Sequence, residues 1–126
     1  VSDTSSLVRP PATLSVRAQV LLWTAQRASA AVLALCVVVH LVTIIYAVRG
    51  GLSAAEILGR TQGSGAWAAF YGVFVLAVAI HAPIGLRNVF AETFGWRGRG
   101  LEVLVLAIGV ALALCGWRAV YAVIAA

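Results

Sequence analysis

The chain has 126 residues, of which 63% are apolar and only 10% charged, and its mean hydropathy is +1.03. Such a composition excludes a soluble domain of this size and marks an integral membrane protein. The net charge is +5, but all nine basic residues are arginines that punctuate the apolar runs instead of gathering on one soluble face. That pattern argues against nucleic acid as a partner and assigns the arginines to membrane edges and lipid headgroups.

Residues 1–13, with Pro10-Pro11 among serines and threonines, read as a polar N-terminal tail. Thr13 or Ser15 is placed to cap a helix beginning near Val16, and residues 14–126 then form one membrane domain. From Ala28 to Val48 there are 21 residues without a formal charge, bounded by Arg27 and Arg49. At about 1.5 Å per residue they span roughly 30 Å of hydrocarbon. At helical spacing Ser29, Leu33, Cys36, His40 and Thr43 share one side, so this stripe is expected to face protein or a cofactor and not lipid.

Ser53-Ala54-Ala55-Glu56 has the spacing of a capping box and predicts a short interfacial helix between Leu52 and Arg60. A second 21-residue uncharged run follows from Ala66 to Leu86, with Pro83 expected to kink it. Phe70, Phe74, Ala77, His81, Gly85, Asn88 and Glu92 share one face there, and the small residues one turn either side of His81 leave room for something flat and large. Thr93 to Gly100 reads as an interfacial loop, and Leu101 to Ala126 as a third helix carrying Glu102 and Arg118. The expected fold is therefore all-α: a three-helix transmembrane bundle with short interfacial helices, the long helices covering about residues 16–48, 66–91 and 101–125. Cys36 and Cys115 both lie inside apolar segments and read as small buried hydrophobes. A cytoplasmic N-terminus groups Arg9, Arg17, Arg27, Arg87, Arg97 and Arg99 on the inner side, against Arg49, Arg60 and Arg118 outside.

The chemistry rests on two histidines in apolar surroundings. An ionisable group inside a membrane is a functional residue by default, and the candidate partners of His81 are a haem iron, a quinone oxygen or a polar group on a neighbouring helix. With Arg27 and Arg87 both at the cytoplasmic edge, His40 lies at a depth of about 20 Å and His81 at about 9 Å. Two axial ligands of one haem approach opposite faces of the same ring, so an offset of about 10 Å assigns the pair to two centres. There is no third histidine and no methionine, so a second ligand has to come from a partner subunit or a second copy. The alternative for each histidine is an imidazole bonded between helices. Arg27 and Arg87 are placed to pair with haem propionates or polarise a quinone carbonyl, with headgroup anchoring as their alternative.

His81-x-x-x-Gly85-Leu86-Arg87 followed by Glu92 resembles the His-x-x-x-Gly-[Ile/Leu]-Arg-x-x-x-x-Asp pattern of the cytochrome b membrane anchor subunit of succinate dehydrogenase. Arg27-Ala28-Ser29-Ala30 is similar to that family's Arg-x-Ser-Gly at the start of its first helix. This sequence differs in Ala30 for glycine, Gln26 where some members carry histidine, and Glu92 for aspartate. The resemblance implies a respiratory succinate:quinone oxidoreductase or fumarate reductase relative in a bacterial inner membrane. In such a complex a flavoprotein oxidises the dicarboxylate and an iron–sulfur subunit passes the electrons on. The anchor binds haem b, one or two, together with a second membrane subunit, and His81 is the implied ligand. Ser29 and Arg27 are the implied residues near the quinone or the haem propionates. A histidine in the first helix, here His40, is similar to the two-haem members. This chain holds no catalytic residue for the dicarboxylate. The readings that compete with this one are a haem-binding subunit of a different dehydrogenase and a haem-free structural or assembly protein.

Overall fold

The computed structural model describes residues 14–125, and the polar tail expected over residues 1–13 lies outside the described residues. Four helices follow in order: α1 (Val16–Arg49), α2 (Ala54–Thr61), α3 (Gly65–Thr93) and α4 (Arg99–Ile124). Among the described residues there is no strand, and α1, α3 and α4 are each long and apolar enough to cross a membrane. At about 1.5 Å per residue α1 is about 50 Å long, well beyond a hydrocarbon core of about 30 Å.

The helix starts follow local chemistry. Ser15 caps α1, its Oγ accepting from the N–H of Ala18 at 3.3 Å. α2 opens with the full capping box: the Glu56 N–H donates to Ser53 Oγ at 3.3 Å and the Ser53 N–H donates to the Glu56 carboxylate at 2.7 Å. The Ser53 backbone N–H first, then its hydroxyl, and more weakly Arg60, hold the Glu56 carboxyl below its ordinary range.

α1 and α4 both pack antiparallel on α3, and α2 packs on the end of α4. The stripe on α1 faces α3: Ser29 and Cys36 are buried, Ser29 lies beside His81, and His40 sits between Tyr71 and Phe74. α3 stays one helix through Pro83, which has no N–H to donate to the carbonyl of Ala79. α4 closes on this point because Gly109 has no side chain. A Cβ there would lie 2.7 Å from Pro83 Cγ and 3.4 Å from the Ala79 carbonyl oxygen. Gly116 gives α4 its second close approach, against Val75.

The buried apolar set is thin: Cys36, Ala77, Leu101 and Val105. Leu35, Val38, Leu76, Leu106 and Leu114 remain exposed, as in a chain whose outer surface meets lipid or other membrane helices. Cys115, expected to be buried, is on this exposed surface, since α4 turns its small residues to α3 at Gly109 and Gly116 instead. Both cysteines are free.

The last carbonyls of α4 are satisfied from outside the helix. Gly63 N–H donates to Ile124 O at 3.0 Å, and the buried Thr61 hydroxyl lies 3.2 Å from Val123 O, its single hydrogen shared with Leu58 O at 3.2 Å and Ile57 O at 3.3 Å in its own helix. Thr61→Val keeps the shape and leaves Val123 without that donor. We expect a loss of about 1 kcal/mol, read as a lower unfolding midpoint in detergent and faster hydrogen exchange in the last turn of α4. Unchanged midpoint and exchange would mean that Thr61 does not tie α2 to α4.

Candidate functional site

The N-terminal half of α1 and the C-terminal half of α3 enclose a cavity of about 520 Å³, lined by Trp23, Gln26, Arg27 and Ala30 on one side and His81, Ile84, Arg87 and Asn88 on the other. That is a ligand-sized volume, since small-molecule pockets run about 300–1,000 Å³. Its walls are largely apolar, with two arginines and one imidazole as the ionisable groups. The Arg27 guanidinium stands 5.6 Å from the centroid of the Trp23 ring, one turn back on the same helix. Arg87 donates through Nε to the Glu102 carboxylate of α4 at 2.7 Å, which leaves the rest of its guanidinium donors for other partners.

Gln26 occupies the floor between the two helices. Its Oε1 is buried without a partner among the described residues, and its Nε2 would lie 3.2 Å from a Cβ on Gly85. Gly85 was expected to leave room for a flat ligand; α1 fills that room with the Gln26 amide, and Ala77, one turn before His81, is buried.

His81 meets α1 at Ser29. The Ser29 Oγ lies 3.3 Å from His81 Nδ1, 2.6 Å from Ala25 O and 3.1 Å from Gln26 O, and the residue is only 6% exposed. Nε2 of His81 has no hydrogen-bond partner among the described residues. Ser29 does not line the larger cavity; it lines a shallow apolar groove on the α1–α3 pair with Ala28, Val32, Val73 and Ile80.

His40 belongs to a different place. It lines a second cavity, of about 380 Å³, with Thr43, Tyr46, Arg60, Trp67 and Tyr71. Its ring is edge-on to Tyr71 and Phe74, both at 5.8 Å between centroids, and its Nδ1 is buried with no partner among the described residues. Tyr71 and Phe74 precede His81 by ten and seven residues on α3, a separation of about 10–15 Å along the helix. The fold thus gathers His81, Ser29, Arg27 and Arg87 at one end and leaves His40 at another level.

Among the described residues no group of three or more His, Cys, Asp or Glu side chains is placed to hold a metal ion, so each histidine stands as a single donor. Two contributors were not singled out from the sequence. Trp23 precedes Arg27 by four residues, the spacing at which helical neighbours touch, and that signal was legible. Glu102 pairs with Arg87 across 15 residues and two helices, which no local spacing reveals.

The family model described as succinate dehydrogenase/fumarate reductase transmembrane subunit matches residues 5–117, most of the chain. No curated protein and no solved structure matches it.

Proposed function

The chain belongs to the succinate dehydrogenase/fumarate reductase transmembrane subunit family, and we propose that within such a complex it ligates haem b through His81 and forms part of the quinone site. The observation that carries this reading is the His81 imidazole on the wall of the larger cavity, its Nε2 without a hydrogen-bond partner among the described residues, with Arg27 and Arg87 on the same walls.

The donor set fits the group. A haem needs an axial nitrogen, an apolar enclosure and cations near its carboxylates, and the cavity offers His81, largely apolar walls, Arg27 and Arg87. When bound, the haem supplies one-electron storage between the iron–sulfur subunit and the quinone. The residues of this chain do the rest. His81 would hold the haem iron, and a further ligand would come from a second membrane subunit or a second copy, because this chain has only two histidines and no methionine. Arg27 and the free donors of Arg87 balance carboxylates or polarise a quinone oxygen. His40, in its own cavity, is the ligand for a second haem. The flavoprotein and iron–sulfur partners bind on the side of a bacterial inner membrane that carries Arg27, Arg87, Arg97 and Arg99, with the N-terminus on that cytoplasmic side.

The test is a dithionite-reduced minus oxidised spectrum of the purified complex, with haem, flavin and iron quantified per copy of this chain. We expect b-type bands at one or two haems per chain and stoichiometric flavin. Haem without a succinate- or fumarate-active flavoprotein would place the chain in a different dehydrogenase. A complex without haem would sink the cytochrome reading.

A further inference from the structure

We propose that Ser29 is a positioning residue that sets the tautomer of His81, holding the ring as Nδ1–H so that Nε2 presents its lone pair; this rests on His81 being the haem ligand. Ser29 has one hydroxyl hydrogen and three neighbours, Ala25 O at 2.6 Å, Gln26 O at 3.1 Å and His81 Nδ1 at 3.3 Å. The shortest of these lies in the range of an O–H···O bond, and back-bonding of serine to the carbonyl four residues earlier is a common helical arrangement. The distance to His81 is long for a hydroxyl donor and lies just beyond the usual N–H···O range of about 2.7–3.2 Å, so any bond there is a weak one. The hydrogen therefore goes to the Ala25 carbonyl.

What faces Nδ1 is then an oxygen with its proton committed elsewhere. A bare Nδ1 would set lone pair against lone pair, whereas Nδ1–H donates to Ser29 Oγ. Ser29 is only 6% exposed, so water does not compete for that oxygen. A neutral imidazole carries one proton, so fixing it on Nδ1 empties Nε2. A hydrogen bond from the outer nitrogen also makes a ligating histidine more basic and fixes its ring, which favours the ferric state.

The chain contains only two histidines, which makes the assignment measurable without haem. Full-length chain labelled with ¹⁵N-histidine in lipid bilayers, with His40→Ala identifying the resonances, reports which nitrogen of His81 carries the proton. We expect Nδ1–H in the wild type, a shift towards Nε2–H in Ser29→Ala, and retention of Nδ1–H in Ser29→Thr. In the purified complex Ser29→Ala is expected to weaken haem retention about 10- to 100-fold. It should also raise the haem midpoint potential, about 59 mV for a tenfold change in the oxidised-to-reduced balance, with Ser29→Thr restoring both. Nε2–H in the wild type, or a tautomer indifferent to Ser29→Ala, overturns the proposal even if haem is bound. Nδ1–H lost in Ser29→Ala upholds the role of Ser29 even if the complex carries no haem, in which case only the cofactor assignment falls.

Discussion

His81→Ala is expected to abolish the b-type haem component associated with the larger cavity, while His40→Ala leaves that component in place. His81 is the only imidazole lining the cavity between the N-terminal half of α1 and the C-terminal half of α3. No other nitrogen or sulfur donor on the walls can replace it, because arginine stays protonated and the glutamine amide is a poor iron ligand. His40 lines the other cavity, about 10–15 Å away along α3. A second component, where present, responds to His40→Ala alone. The measurement is the reduced-minus-oxidised spectrum of each purified variant complex with its haem content. If both substitutions remove the same component, the two histidines share one centre and the separation of the two cavities is wrong. Haem retained in full by His81→Ala would move the ligand to another chain.

Gly109→Ala should destabilise the helix pair by about 1–3 kcal/mol, a large effect for one methyl group. The added Cβ would lie 2.7 Å from Pro83 Cγ, and the proline ring, locked to the α3 backbone, cannot rotate aside. α4 has to move out, and with it Leu101 and Val105, two of the few buried apolar residues. Gly116→Ala meets both methyls of Val75, at 2.7 and 2.9 Å, and a β-branched side chain in a helix has essentially one rotamer. The same cost is expected there. Gly72→Ala is the control, because nothing lies within 4 Å of its Cβ position. It should be neutral or stabilising by up to about 1 kcal/mol, through helix propensity. Unfolding midpoints of the four proteins in one detergent decide the matter. Equal midpoints for Gly109→Ala and Gly72→Ala would mean that α3 and α4 are not in contact at Pro83.

The geometry around Ser29 gives the larger cavity a division of labour. Ser29 and Arg27 are two residues apart and were expected to act together near the quinone. Their side chains leave α1 in different directions, Arg27 to the cavity and Ser29 to His81. Gln26, the residue before Arg27, wedges against Gly85, and its buried oxygen has no partner among the described residues.

The spans were readable from the sequence because hydropathy and length are properties of a segment by itself: a backbone in lipid must satisfy its hydrogen bonds within a helix. The helix starts at Ser15 and Ser53 were readable for the same reason, since a cap reaches only three residues. The faces of α3 and α4 were not. In a helix that is apolar all round, periodicity does not say which side meets protein and which meets lipid. Only packing decided that Gly85 receives Gln26, that Cys115 points outward, that Arg87 finds Glu102, and that Thr61 caps a helix 62 residues further on. The sequence by itself determined three membrane helices and two histidines at different depths. The tertiary structure decided what each histidine touches, because contacts between helices depend on rotation about the helix axis, which a uniformly apolar sequence leaves open.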